Sequence, residues 1–291
     1  MMEMKVRIRG RQSYIRKIQS AITNQMRIRE SPRRCVVVPG HFSAYSRQMR
    51  LDESYPAPQF PATRWSIVLS ASGGGTSAGA ALEEICRLYW FPLYAYARNH
   101  GCSPEDAEDE TQRFLASVAT GGFLQMASPE RGRLRTYLLS AFQRDLIDSH
   151  RRATSQKRGG KLQIVSLEAL NAEDRFRSTP SQESPTAMFD RAWAMTCLDS
   201  AVSLLESEYA ARGRGLIFEV LRTFLDPEAD GDYAAAALKI RMDPNAVRQA
   251  VFRLRQRFRA LLRLVVADTL GSASEALIDE ELTTLRVALA T

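Results

Sequence analysis

At 291 residues, with 45% of them apolar, the chain is long enough to bury a real core, and a wholly disordered protein is excluded. No apolar run is long enough to cross a membrane and no signal-peptide hydrophobic region is visible, so neither a membrane protein nor a secreted one is predicted. Four cysteines without CxxC spacing and only three histidines predict neither a disulfide framework nor a structural zinc site, and they fit a reducing cytoplasm.

The net charge of +7 is unevenly distributed along the chain. Residues 1–64 carry 13 Lys/Arg and 4 Asp/Glu, which leaves the rest of the chain at −2. Within that remainder, Arg131–Lys161 and Lys239–Arg263 are each at +7, whereas Ser103–Gln112 holds five acids and no base. Two basic patches and one acidic patch are typical of a protein with two DNA contacts and a protein partner, although three charged helix faces would give the same pattern.

Residues 1–62 are Arg-rich, have no sustained periodicity and end in a proline-rich stretch. This composition predicts a basic disordered extension. Two interpretations stay open, an arm that binds nucleic acid and a segment translated from an upstream start, with Met49 as the native beginning.

Helical periodicity begins in the next segment, 63–152, which we expect to form a first helical domain. A helix is predicted from Ala78 to about Arg98. Ser103, followed by proline and acids, predicts the start of a second helix that ends near Val118. Its predicted exposed positions are Glu108, Asp109, Gln112 and Arg113.

The third predicted helix of this domain spans Arg131–Arg152. Its apolar positions, Leu134, Leu138, Ala141 and Phe142, recur at the spacing of one buried helical face. Four arginines are expected on its exposed side: Arg135, Arg144, Arg151 and Arg152.

A Ser-, Gly- and Pro-rich stretch, 153–188, predicts a flexible linker. It leads to a second helical domain, 189–270, and then to a C-terminal segment, 271–291, that contains an amphipathic helix from Ser274 to Ala290. The predicted fold is therefore all-α, with two small helical domains joined by the linker and the second one ending in a helix-turn-helix.

The helix-turn-helix is predicted at Asp232–Leu264. Asp232 is expected to cap a short helix that ends near Ile240, Arg241 and Met242 form the corner, and Asp243 followed by Pro244 begins a longer helix. A short helix, a tight corner and a longer basic helix is the arrangement whose second helix enters the DNA major groove. The alternative is a helical hairpin with a solvated basic face.

The order of these segments resembles the RNA polymerase sigma factors of the extracytoplasmic-function (ECF) type, and in particular a long-linker branch of them. The resemblance covers roughly Thr63–Leu270. The run Asp106-Ala107-Glu108-Asp109-Glu110-Thr111-Gln112-Arg113-Phe114 is similar to the helix that grips the polymerase clamp. Arg133–Arg152 is similar to the helix that reads and melts the −10 promoter element, and the terminal helix-turn-helix is similar to the reader of the −35 element, with Arg241 where the family usually has Gly.

The resemblance implies a role for individual residues. Asp109 and Gln112 match the positions that contact the clamp helices of core RNA polymerase. In the −10 helix, Arg135, Arg144, Arg151 and Arg152 are candidate contacts to the strand being opened. Tyr137 is a candidate ring on which a base stacks, and a packed core ring is the alternative for it. In the −35 helix the candidate base readers are Asn245, Arg248, Gln249 and Phe252, and the candidate phosphate contacts are Arg253, Arg255 and Arg257.

The sequence therefore predicts a cytoplasmic sigma factor with no catalytic residue, cofactor or metal of its own. Core RNA polymerase and promoter DNA are the predicted partners, and an anti-sigma protein is a further candidate partner. A DNA-binding regulator that no longer engages polymerase is the alternative. An enzyme that holds a metal with the acids of Glu105–Glu110 is disfavoured, because these acids spread around a helix and no histidine joins them.

Overall fold

The computed structural model describes six ranges of the chain: 76–120, 133–155, 167–178, 183–226, 232–270 and 274–290. The predictions made for 1–62 lie outside these ranges. Within them the chain is helical and contains no strand, so the all-α prediction is confirmed. The helices are α1 (Thr76–Asn99), α2 (Pro104–Thr120), α3 (Leu134–Ser155), α4 (Leu167–Arg177), α5 (Pro185–Ala211), α6 (Gly215–Leu221) continuing as a 3-10 turn (Arg222–Leu225), α7 (Tyr233–Ile240), α8 (Pro244–Ala267) and α9 (Glu275–Ala290).

The first three helices form a small bundle whose starts follow local chemistry. Ser103 Oγ accepts a hydrogen bond from the Asp106 backbone N–H at 3.1 Å, so the predicted cap at the start of α2 is confirmed. Aromatic rings join the helices at the centre. Phe142 of α3 lies 5.1 Å from Phe114 of α2 and 6.2 Å from Tyr96 of α1, measured between ring centroids.

Helix α5 is the centre of the fold, since it packs against α1 on one side and against α8 and α9 on others. Its apolar residues are buried nearly all round, as expected of a helix enclosed by neighbours. Trp193 is fully buried and belongs to one continuous core that includes both the α1–α3 bundle and the α6–α9 helices. The helices on either side of the predicted linker therefore share a core through α5.

Part of the predicted linker forms helix α4, which is attached to α1 by a polar cluster. Glu173 accepts hydrogen bonds from Arg98 Nε and Nη2 at 2.8 and 2.9 Å and from the Tyr94 hydroxyl at 2.8 Å. The hydrogen bonds from Arg98 lower the pKa of Glu173 to about 2, so the carboxylate stays charged near neutral pH. This cluster holds α4 against α1.

The C-terminal helix α9 docks mainly on α5 and also touches α8. Ile278, Leu285 and Leu289 are buried and form its apolar face. Glu281 is buried as well, only 1% exposed, in spite of its charge. A buried carboxylate requires a charged partner, and that partner is on α3.

Candidate functional site

The outer face of α2 presents an acidic surface with one amide at its edge. Asp109 and Gln112 are both exposed, as the sequence predicts. Glu108 is not, because it is only 8% exposed and accepts a hydrogen bond from Gln112 Nε2 at 3.0 Å. The prediction that Glu108 points outward is therefore wrong, since its position on α2 turns it toward neighbouring elements of the bundle.

Arg113 interrupts the acidic run of α2 and is held by acids of the same protein. It pairs with Glu110 one turn earlier, and its Nη2 lies 3.2 Å from Asp145 Oδ2 on α3. These pairs offset its positive charge, so the outer face of α2 remains acidic overall.

Arg135 on α3 differs most from its predicted environment. We expected an exposed side chain, but the residue is only 7% exposed. Its Nε donates to Glu281 Oε1 at 2.8 Å, it pairs with Asp190, and its guanidinium lies 4.9 Å from the centroid of the Trp193 ring. Helices α5 and α9 cover this part of α3, and a helical period alone does not reveal which face a distant segment covers.

Two other candidate side chains on α3, Arg144 and Tyr137, are more accessible than Arg135. Arg144 is exposed, and its Nε donates to the Ser140 carbonyl at 3.2 Å. Tyr137 is half-buried and packs against the core. Arg151 and Arg152 lie within the helix, but their side chains are outside the described part of the structure.

The corner between α7 and α8 is formed by Arg241 and Met242 and is flanked by two capped helix starts. Asp232 Oδ1 accepts from the N–H of Ala234 at 2.8 Å, and Asp243 Oδ1 accepts from the N–H of Asn245 at 2.8 Å, so both predicted caps are confirmed. Arg241 has φ 52° and ψ 49°, a left-handed conformation that ends α7. The Met242 N–H then donates to the Ala237 carbonyl at 2.9 Å, and the chain turns into α8.

The start of α8 is accessible and carries the candidate base readers. Asn245, Arg248, Gln249 and Phe252 are all exposed. Arg248 Nη1 donates to Asn245 Oδ1 at 2.8 Å, and its guanidinium lies 5.4 Å from the centroid of the Tyr233 ring. These two contacts orient the Arg248 side chain before any ligand is bound.

The candidate phosphate contacts on α8 differ in their surroundings. Arg253 is half-buried. Arg255 Nε donates to the Phe224 carbonyl at 2.8 Å, and Arg257 Nε donates to Glu208 Oε2 at 2.9 Å. Arg255 therefore joins α8 to the 3-10 turn after α6, and Arg257 joins it to α5. A phosphate would have to replace or share these contacts.

Comparison with known protein families assigns the chain to one of them. A model of the ECF sigma factor family matches residues 81–232, which is more than half of the chain. The chain belongs to the ECF sigma factor family. Among curated proteins and among solved structures the searches find no match.

Membership in this family means that the protein is a factor for transcription initiation by RNA polymerase, not a member of a known enzyme class. It implies binding to core RNA polymerase and to promoter DNA. Among the described residues no group of His, Cys, Asp and Glu side chains is arranged to hold a metal. None of the described helices is long and apolar enough to span a membrane. The family match ends at residue 232, so the α7–α8 pair of this sigma factor lies beyond it.

Sequence reasoning missed the partners of Arg135 in this sigma factor. Asp190 and Glu281 come from separate segments and meet Arg135 only in the folded chain. The available signal was the position of Glu281 on α9, three residues after the buried Ile278 and four before the buried Leu285. That spacing places a carboxylate on an apolar face.

The corner of the α7–α8 pair gives a first prediction. Arg241→Gly is expected to raise the free energy of unfolding by about 1 kcal/mol, because a side chain disfavours the left-handed conformation and glycine does not. Denaturant titration measures the change. Lys239→Gly is the matched control, since it places glycine inside α7 and is expected to lower the free energy of unfolding by about 1 kcal/mol. A loss of stability with Arg241→Gly would contradict the prediction.

Proposed function

We propose that this ECF sigma factor holds core RNA polymerase with the acidic face of α2, reads a −35 promoter element with α8, and opens a −10 element with α3. The observation that carries the proposal is the corner between α7 and α8. It leaves Asn245, Arg248 and Gln249 exposed together at the start of the longer helix, where a helix-turn-helix contacts base edges.

The chemistry of these side chains supports reading of bases in the major groove. Arginine donates two parallel hydrogen bonds to guanine, and asparagine or glutamine pairs with adenine in a similar way. Arg248 is already oriented by Asn245 and Tyr233, so fewer of its conformations are lost when it binds. The exposed Phe252 ring offers an apolar contact for a thymine methyl group.

The proposed polymerase contact rests on Asp109 and Gln112. Both are exposed on a helix that begins with Glu105 and Asp106. An acidic helix face suits the basic partner that the resemblance implies, and charge complementarity both speeds the encounter and fixes its orientation.

The proposed −10 contact is on α3, where Arg144 is exposed and Tyr137 is half-buried. An arginine of this kind suits the phosphates of an opened strand, and an aromatic ring at a surface suits an unstacked base. We also assign the stretch 153–188 to the linker of a long-linker branch. The factor is assigned to the cytoplasm, where RNA polymerase and the chromosome meet. An anti-sigma protein is assigned a regulatory role.

Run-off transcription with core RNA polymerase over genomic DNA fragments tests the proposal. We expect discrete transcripts that share a −35 and a −10 element and depend on added sigma factor. Capture of core polymerase by the immobilised protein is measured in parallel. DNA binding without polymerase capture would instead support a helix-turn-helix regulator that has lost its polymerase contact.

The base-reading role of α8 gives a second prediction. Arg248→Ala is expected to relax the preference at one position of the −35 element by about 1–3 kcal/mol, because one bidentate contact to a base is lost. Transcription or binding on a panel of single-base promoter variants measures this change. The preference at the other positions should be kept.

Arg253→Ala is the matched control for this test, since it removes the same charge from the same helix. Its loss is expected on every promoter alike, with the salt dependence of binding reduced by about one phosphate contact. An equal and uniform loss for both variants would contradict the assignment of Arg248 as a base reader.

A further inference from the structure

The acids of α9 reach arginines of both proposed promoter-binding helices. Glu281 Oε1 lies 2.8 Å from Arg135 Nε on α3, and Glu281 Oε2 lies 3.0 Å from Nε of Arg133, which immediately precedes α3. Glu280 also pairs with Arg133, at 2.5 Å. Nearer the start of α9, Glu275 and Asp279 pair with Arg263 of α8.

We propose that α9 is an anionic latch on α3: it holds Arg133 and Arg135 with carboxylates in a closed state and releases them to nucleic-acid phosphates in an open one. In the closed state Arg135 is almost completely covered. A polyanion can reach it only after α9 has moved away, so DNA and α9 compete for the same guanidinium groups.

The environment of the pair explains why the latch can open. Glu281 is 1% exposed and the Arg135 side chain 8% exposed, so both charges have lost most of their hydration. Burial lowers the pKa of Arg135, but Glu281 and Asp190 raise it by more, and the guanidinium remains charged. The attraction within a buried ion pair roughly offsets the hydration that both charges lose, so the pair adds little net stability. Opening returns both charges to water.

The apolar face of α9 gives the latch its place on the fold. Ile278, Leu285 and Leu289 are buried against the core, and Glu281 lies between them on the same face. Asp190, which pairs with Arg135, and Trp193, whose ring lies against the guanidinium, both belong to α5. The ion pair of Arg135 and Glu281 therefore lies where α3, α5 and α9 meet.

The competition with DNA rests on the proposed function of α3, whereas the closed contact itself does not. Glu280→Gln/Glu281→Gln removes the two α9 charges that hold Arg133 and Arg135 and keeps the size of both side chains. Glu275→Gln/Asp279→Asn is the matched control, because it removes two charges from the same helix but acts on Arg263, whose acidic partners are more than 60% exposed. Breaking exposed pairs has little effect.

Two measurements are made on the full chain, with circular dichroism as the check of folding. The first is the affinity for a short fluorescent single-stranded DNA of mixed sequence at several salt concentrations. The Glu280/Glu281 variant is expected to bind about tenfold more tightly than the control variant. The slope of the logarithm of its binding constant against the logarithm of the salt concentration should be steeper by about 1.4. Two phosphate contacts are gained, and each contributes about 0.7 on a single strand. The second is hydrogen exchange of the α9 amides, which should be faster in this variant only.

A folded Glu280/Glu281 variant with the DNA affinity and α9 exchange of the control overturns the latch. If this variant does not fold, the wild-type chain replaces it: a saturating amount of the same single-stranded DNA is then expected to speed hydrogen exchange of the α9 amides, and unchanged exchange overturns the proposal. Run-off transcription separates the two ideas. If the Glu280/Glu281 variant shows faster α9 exchange and tighter DNA binding, the latch is supported even when neither the wild type nor the variant starts transcription. The absence of transcription would contradict only the proposed sigma function.

Discussion

Asp109→Arg is expected to weaken binding to core RNA polymerase by about 3 kcal/mol, roughly a hundredfold, while the fold stays intact. Asp109 is exposed on the acidic face of α2, where the proposed polymerase contact lies. Reversing its charge replaces an attraction with a repulsion toward a basic partner. Pull-down or fluorescence titration with core polymerase measures the loss, and an unchanged melting temperature shows that the helix is undisturbed.

Asp174→Arg is the control for this variant, because Asp174 is an exposed acid on a different helix, α4. It makes the same change in net charge and is expected to leave polymerase binding within about twofold of the wild type. If both reversals weaken binding equally, the effect comes from overall charge, and the assignment of the α2 face would be wrong.

Trp193→Ala is expected to lower the free energy of unfolding by about 3–5 kcal/mol. Trp193 is fully buried on α5, in the core that the α1–α3 bundle shares with α6–α9. Its removal leaves a cavity and also deletes the ring beneath the Arg135 guanidinium. For a chain of this size the melting temperature should fall by roughly 10 °C, measured by calorimetry or circular dichroism.

Phe252→Ala is the control for this second variant. It also removes an aromatic ring, but one that is 61% exposed, so its effect on the free energy of unfolding should stay within about 0.5 kcal/mol. A small effect of Trp193→Ala on the free energy of unfolding would contradict a continuous core through α5. So would two separate unfolding transitions of which the substitution affects only one. Phe252→Ala is in turn expected to act on promoter binding alone.

The starts of three helices could be predicted from the sequence because their causes are local. Ser103, Asp232 and Asp243 cap helices with their own side chains, and those bonds span two or three residues. The buried face of α8 follows from apolar residues at helical spacing, such as Val247, Val251 and Leu254. The exposed positions Asp109 and Gln112 on α2 follow from the same periodicity.

What covers each helix was decided only by the tertiary structure. The sequence of α3 places Arg135 next to a buried leucine, and nothing within α3 shows that α5 and α9 close over it with Asp190 and Glu281. Glu108 is a different case, because it shares a helical face with the buried Thr111 and Leu115, three and seven residues later, so the spacing itself placed it inward. The sequence by itself determined that this protein is helical, where the helices capped by Ser103, Asp232 and Asp243 begin, and which side chains are candidates for polymerase and DNA. Contacts between segments more than fifty residues apart determined which of those arginines are covered in the folded chain, because burial of a charge depends on the partners that the fold brings to it.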